Sequence, residues 1–200
     1  MLVRDFFFEV PTRLIADRPS EHRGDERLLV LDRSQPNNRH VSMSKLPDLL
    51  PAGSVLVIND SRVRKARLYG SSETGGTVEL IFIEELRPGR WRALARRSRR
   101  QRVGKLLLLP DGVRARIVAV REDERELELE PVVGEEYFER FGSIPLPPYI
   151  DRSADADDDE RYQTVYARES GSAAAPTAGL HLTPELLASL RSRGISIQRL

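Results

Sequence analysis

Apolar positions along the chain follow two rhythms, and the change between them divides it. Residues 27–31 (Arg-Leu-Leu-Val-Leu) and 54–58 (Ser-Val-Leu-Val-Ile) are short aliphatic runs that predict strands, the second of the type buried on both faces. Between them, turn residues 34–38 precede a short helical pattern over 44–50. From Ala66 to Pro131 the pattern becomes one of short strands, at 77–84, 91–96, 105–109, 113–120 and 126–130. Thr74-Gly75-Gly76, Arg87-Pro88-Gly89 and Pro110-Asp111-Gly112 are hairpin-type turns between them. Leu127 and Leu129 alternate with Glu126, Glu128 and Glu130, as a half-buried antiparallel strand requires. The expected architecture is a mixed α/β (α+β) fold. A discontinuous α/β domain of residues 1–65 and 132–200 carries a small inserted antiparallel β-barrel or sandwich over 66–131.

Past the insertion, residues 135–141 predict a short helix with Tyr137, Phe138 and Phe141 on its apolar face. In residues 144–150, Pro145, Pro147 and Pro148 remove three backbone donors, which excludes regular helix or central strand. The best-marked helix comes last. Thr183 suits the N-cap, Pro184 the first helical position, and Glu185 the positive end of the helix dipole. Leu182 and Leu187 can form a hydrophobic staple, and Gly194 is placed to end the helix. Residues 195–200 then read as a strand.

Composition narrows the chemistry. In 200 residues, Lys plus Arg number 32 against 31 Asp plus Glu, a net charge of +1, so nucleic-acid affinity needs a local patch. With 0 Cys there is no disulfide, no thiolate nucleophile and no Cys-ligated zinc. His22, His40 and His181 lack metal-ligand spacing, so no metal site is expected. No apolar run nears the roughly 20 residues of a membrane span. The first residues, with Arg4, Asp5 and Glu9 around Phe6-Phe7-Phe8, do not read as a signal peptide. A soluble, cytoplasmic protein is the expectation.

Residues 87–105 hold Arg90, Arg92, Arg96, Arg97, Arg99, Arg100, Arg102 and Lys105, with Trp91 among them and no acid inside the stretch. Such a patch can neutralise an RNA backbone, and Arg96, Arg97, Arg99, Arg100, Arg102 and Lys105 are its candidate contacts. The other reading is a solvated face balanced by the acidic region 121–136. Asn59 and Asp60 follow the apolar run 54–58; they could meet a sugar hydroxyl or move a proton, with Arg62 gripping a carboxylate or phosphate. Pattern alone favours a self-capped turn there. Residues 155–160 imitate a calcium loop but place Glu160 where glycine belongs, and read as a solvated acidic loop. Residues 171–181 form a small-residue loop entering a helix N-terminus, where bare peptide can meet an electron-rich ligand. His181 beside that positive end is either a proton acceptor or a structural side chain.

Several strings together resemble one enzyme family. They are Leu56-Val57-Ile58-Asn59-Asp60-Ser61-Arg62-Val63, Ala66-Arg67-Leu68-Tyr69-Gly70, Pro145-Leu146-Pro147-Pro148-Tyr149-Ile150, Arg161-Tyr162-Gln163-Thr164-Val165-Tyr166 and Ala174-Ala175-Pro176-Thr177-Ala178-Gly179-Leu180-His181. Their types and order are similar to the S-adenosylmethionine:tRNA ribosyltransferase-isomerases of queuosine biosynthesis, over nearly the whole chain.

The resemblance implies transfer of the ribosyl part of S-adenosylmethionine to 7-aminomethyl-7-deazaguanine in tRNA. Isomerisation would yield epoxyqueuosine-tRNA and release adenine and methionine. S-adenosylmethionine is then a consumed substrate, with no resident cofactor, and the implied fold is an α/β domain with an inserted barrel. His181 and Asp60 would be catalytic. Asn59, Arg62, Arg67, Tyr162, Gln163, Tyr166, Pro176, Thr177, Ala178, Gly179 and Leu180 would bind substrate, in a cytoplasmic monomer. Lys65 stands where the family has Pro, and Leu182 where it has Phe. Family members also continue through a glycine-rich Leu-His-Val-Gly stretch that this chain lacks, so the C-terminal part of the family fold is expected to be missing. A non-catalytic RNA-binding module and an inactive fragment are the alternatives.

Overall fold

The computed structural model describes residues 2–96, 101–150 and 152–200. A hairpin of β1 (Arg27–Val30) and β2 (Arg39–Ser42) leads through a 3-10 turn, Met43–Lys45, into the short helix α1 (Leu46–Leu49). Strands β3 (Val55–Ile58) and β4 (Ser61–Val63) follow, and six strands come next. These are β5 (Arg67–Ser72), β6 (Thr77–Arg87), β7 (Arg90–Ala95), β8 (Leu106–Leu108), β9 (Arg114–Arg121) and β10 (Glu124–Glu130). They close into an antiparallel barrel in the order β10-β7-β6-β5-β8-β9. The mixed α/β fold with a small barrel, expected from the chain's rhythm, is the fold it adopts.

Alternation along the strands fills the barrel. Leu68, Val78, Leu80, Phe82, Trp91, Ala93, Ile117 and Leu127 point into one buried cluster. Strand β5 escaped the sequence reading because its Gly70, Ser71 and Ser72 are poor strand formers. The reason for Gly70 is steric. A Cβ there would lie 2.7 Å from a Leu109 methyl and 2.9 Å from the Leu108 carbonyl oxygen, so β5 can close on β8 only without a side chain.

Helix α2 (Glu135–Phe141) caps the barrel with fully buried Phe138. Its ring centroid lies 5.1 Å from that of Phe82 and 4.9 Å from that of Trp91. The Arg64 guanidinium sits 4.9 Å above Trp91, with its Nε 2.9 Å from Glu135 on α2. Residues 144–150 are irregular, as their prolines require.

Outside the barrel, helix α3 (Ala156–Arg161) precedes β11 (Glu169–Ser172), which pairs in parallel with β4. The last helix, α4 (Pro184–Ser192), carries the expected cap, with Thr183 Oγ1 accepting the Leu186 N–H at 3.1 Å. Leu182 and Leu187 are buried together as the staple. Gly194, at φ +77°, ends the helix while Ile195 N–H reaches back to the Leu190 carbonyl at 3.1 Å. Strand β12 (Ser196–Arg199) then pairs in parallel with β3.

Two expectations are corrected here. Strand β3 is not buried on both faces: Val55 and Val57 are 58% and 53% exposed, because Leu28, Leu46, Leu187 and Leu190 all pack on the Leu56/Ile58 side. Residues 155–160 are no solvated loop: Asp155 is the N-cap of α3, the helix over Ala156–Arg161. The helix forms because the Asp158 carboxylate accepts the Asp155 N–H at 2.9 Å in a capping box and is itself buried against Arg152.

Candidate active site

The β4–β11 pairing joins two stretches that are 108 residues apart in register, Ser61 facing Glu169. At its head the Asn59 side chain accepts the Ser61 N–H at 2.8 Å, the self-capped turn that pattern favoured. The Asp60 carbonyl accepts the Arg168 N–H at 2.7 Å. The Asp60 side chain is almost fully buried, with Arg199 at 3.4 Å and Arg168 at 3.5 Å from one carboxylate oxygen. Arg62 is exposed.

From β11 the small-residue loop runs through Ala175 and Pro176 into a 3-10 turn, Thr177–His181. Gly179 is required there: a Cβ would stand 2.2 Å from the Tyr166 hydroxyl and 2.9 Å from a Thr164 methyl. Tyr166 therefore supports the turn from beneath, its phenol pushed up by burial and partly offset by the Arg23 charge. Ala178 is exposed on the turn's outer side.

The turn forms one wall of a cavity of about 300 Å³. Of the residues singled out in the sequence, His181, Thr177, Leu180 and Tyr162 line it. Burial pushes the Tyr162 phenol up to about 12, so the hydroxyl is neutral and able to donate. His181 is half-exposed. Its Nδ1, however, is shut off from solvent without a hydrogen bond, 3.6 Å from Glu26 Oε2. Burial drives the Glu26 carboxyl up, but hydrogen bonds from the Ser20 hydroxyl and the backbone N–H groups of Glu26 and Gly24 outweigh it and hold it below its ordinary value. A carboxylate, an imidazole and a neutral phenol thus share one cleft, which suits proton transfer on a bound ligand.

Other expected binding residues are engaged inside the protein. Gln163 donates to the Val63 carbonyl at 2.7 Å and accepts its N–H at 2.9 Å, extending β4 like a strand edge. Arg67 is buried, donating to the Leu146 carbonyl at 2.9 Å and lying 3.2 Å from Glu79. The sequence reading missed Glu26, Ser20, Arg152 and Asp158 in the cavity wall. Arg161 and, in the Pro145–Ile150 string, Leu146, Tyr149 and Ile150 also line it, and their strings had carried a signal without a role for these side chains.

The basic stretch splits in two. Arg90 pairs with Glu126 at 2.6 Å and Arg92 lies 3.7 Å from Glu124, across barrel strands, which is the balanced-face reading, and Arg92 also meets Glu84 at 3.0 Å. Arg96 and Lys105 lie instead at the barrel rim, lining a cavity of about 420 Å³ with Ser72, Thr74, Gln101 and Leu107. Each has one acid nearby, Glu79 and Glu73, both at 3.4 Å. Arg102 is exposed beside them, whereas Arg97, Arg99 and Arg100 lie outside the described residues. Among the described residues no group of three or more His, Asp or Glu could hold a metal ion, and no helix is long and apolar enough to cross a membrane.

Fold and cleft together define a mixed α/β protein with a closed antiparallel barrel and a histidine-bearing loop cavity. The sequence model of the family described as queuosine biosynthesis protein matches residues 3–200, and the chain belongs to that family. It is 40% identical over 205 residues to the S-adenosylmethionine:tRNA ribosyltransferase-isomerase of Treponema denticola, covering 99% of this chain and 59% of that protein. The enzyme of the same name from Geotalea uraniireducens is 45% identical over 201 residues, covering 98% and 59%. The chain thus spans about three fifths of the length of the curated relatives it matches. The crystal structure of S-adenosylmethionine tRNA ribosyltransferase from Thermotoga maritima is 28% identical, covering 98% of this chain and 56% of that one, with a TM-score of 0.38.

Proposed function

We propose that the chain carries the substrate cleft of an S-adenosylmethionine:tRNA ribosyltransferase-isomerase of queuosine biosynthesis. The carrying observation is that Thr177, Leu180 and His181 of the Ala174–His181 string, one of those resembling the family, form one wall of a cavity in which His181 and Glu26 face each other. In this reading S-adenosylmethionine is consumed rather than held as a cofactor. Its ribosyl part passes to the aminomethyl nitrogen of 7-aminomethyl-7-deazaguanine in tRNA, as the carbon–sulfur bond breaks to release methionine from the sulfonium and the glycosidic bond breaks to release adenine. His181 takes the proton that the attacking amine must lose, and Tyr162 donates a hydrogen bond to an oxygen of the sugar. Thr177 and Leu180 offer backbone to the nucleoside. Asp60, held by Arg168 and Arg199, fixes the β4–β11 junction from which that wall departs.

Arg96, Arg102 and Lys105 on the barrel rim give the tRNA its backbone contact, in a monomeric, cytoplasmic protein. The test is incubation with S-adenosylmethionine and precursor tRNA, reading released adenine and methionine. Release that disappears in His181→Ala supports the reading. No release from the unaltered chain, with tRNA bound in a salt-dependent way, leaves an RNA-binding module in its place.

A further inference from the structure

We propose that Glu26 is a positioning residue for His181: it keeps the proton on Nδ1 and so presents a bare Nε2 to the cavity. The inference rests on the proton-transfer role given to His181 above and adds the group that sets its tautomer.

The geometry carries it. A neutral imidazole has one N–H and one lone pair, and which nitrogen holds the proton follows from what each faces. Nδ1 of His181 is buried without a hydrogen-bond partner, and the nearest acid oxygen is Glu26 Oε2 at 3.6 Å. A lone pair at Nδ1 would face that carboxylate unfavourably, whereas an N–H would face it favourably. Glu26 is itself fixed, with Ser20 Oγ donating to Oε1 at 2.8 Å and Gly24 N–H to Oε2 at 2.8 Å. A carboxylate offers about four acceptor sites, so these two bonds and the one from its own backbone N–H leave room for a fourth donor. The gap of 3.6 Å is too long for a hydrogen bond, as such contacts often are before substrate binds.

The turn bearing His181 is pinned separately, by Arg23 donating to the Leu180 carbonyl at 3.0 Å. The other charges around the cavity have their own partners. Arg152 is held by Asp158 at 2.6 Å, Arg18 by Asp155, and Arg161 donates to the Ser20 carbonyl at 2.7 Å. Asp17 accepts from Arg152 through its backbone carbonyl at 2.8 Å, and its carboxylate charge also acts on Arg152. Glu26 is the acid paired with the imidazole.

The experiment reads the tautomer in the free protein, by long-range ¹H–¹⁵N correlation of ¹⁵N-histidine-labelled chain at mildly alkaline pH. His181→Asn identifies its signals among those of His22 and His40. The expected result is an imidazole protonated mainly at Nδ1. In Glu26→Gln the ratio of Nδ1–H to Nε2–H falls about tenfold, because a neutral amide oxygen accepts more weakly than a carboxylate. Glu26→Asp, which keeps the charge, recovers part of the ratio. An unaltered protein protonated mainly at Nε2 overturns the inference without any variant, as does an unchanged ratio in Glu26→Gln. In turnover, Glu26→Gln lowers kcat and leaves KM in place. Since the tautomer is read without substrate, an unaltered chain that turns nothing over counts against the proposed function alone.

Discussion

Truncating Phe138 to alanine should unseat the barrel's cap. Phe138 is 0% exposed and meets Phe82 and Trp91 edge-on or tilted, at 5.1 and 4.9 Å between ring centroids. Removing a buried ring loses its transfer free energy and leaves a cavity, together about 3–5 kcal/mol. The two aromatic pairs supply about 0.5–1.5 kcal/mol each beyond burial. Phe138→Leu, which retains much of the volume, should therefore cost less, about 1–3 kcal/mol. Arg64, 5.6 Å from the Phe138 ring and 4.9 Å from Trp91, would keep only its second aromatic face. The chain has 1 Trp, and it is Trp91, so tryptophan fluorescence in urea reports on this cluster directly. The midpoint should drop with little change in slope, since the surface exposed on unfolding is nearly the same. A Phe138→Ala midpoint within about 1 kcal/mol of the unaltered protein, against the 3–5 expected, would refute the picture of α2 as the barrel's plug.

Three further outcomes follow from the cavity's walls. The Arg152 hydrogen bonds, opposed by burial, hold the Asp158 carboxyl below its ordinary value. Its stabilisation is thus fully present above the unfolded carboxyl's pKa near 3.9 and is lost as pH falls through the lower folded value. Asp158→Asn should cost about 1.5–3 kcal/mol at neutral pH and flatten the acid side of a plot of Tm against pH. Burial raises the phenols of Tyr137 and Tyr162 to about 12, so their stabilisation is complete below the unfolded value near 10 and vanishes as pH rises through the folded one. In an ultraviolet titration, Tyr162→Phe should delete one late tyrosinate transition, and loss of an early one instead would contradict its burial. Gly179→Ala places a methyl 2.2 Å from the Tyr166 hydroxyl and should cost about 1–3 kcal/mol, with Tyr166→Phe in the same chain recovering part of it in thermal unfolding.

The elements legible in the sequence were those whose signals are local. Thr183, Pro184, Leu182, Leu187 and Gly194 specify α4 within one short stretch, and each sits as its chemistry requires. Strand alternation and hairpin turns likewise located β6, β7, β9 and β10. What escaped depends on partners distant in sequence. Strand β5 contains Gly70 because β8 approaches it, and β4 and β11 are short strands that each exist through the other. The site divides in the same way. His181, Thr177 and Leu180 were visible because a loop of small residues entering a helix announces itself. Glu26 was not, because an acid in the charged run Asp25-Glu26-Arg27 resembles any solvated acid until the fold sets Nδ1 beside it.

The cavity walls also explain why arginine recurs there. Three segments that share no sheet must be held apart by a fixed distance, and backbone ladders would draw them together. Guanidinium groups do the work instead, since each presents five donors in a rigid fork. Arg23 ties residues 160, 161 and 180, donating to their carbonyls at 3.4, 3.3 and 3.0 Å. Arg161 returns to the Ser20 and Glu21 carbonyls at 2.7 and 3.3 Å, and Arg152 to the Asp17 carbonyl at 2.8 Å. Carbonyls that lack strand partners are thereby satisfied, and the N-terminal segment is clamped to α3 and to the histidine turn from both directions. Lysine in these places would supply charge but no planar fork, so the two or three carbonyls that Arg161 and Arg23 each bind would not be held in one fixed geometry. The cleft is open for that reason: side chains the length of arginine separate its walls while binding them.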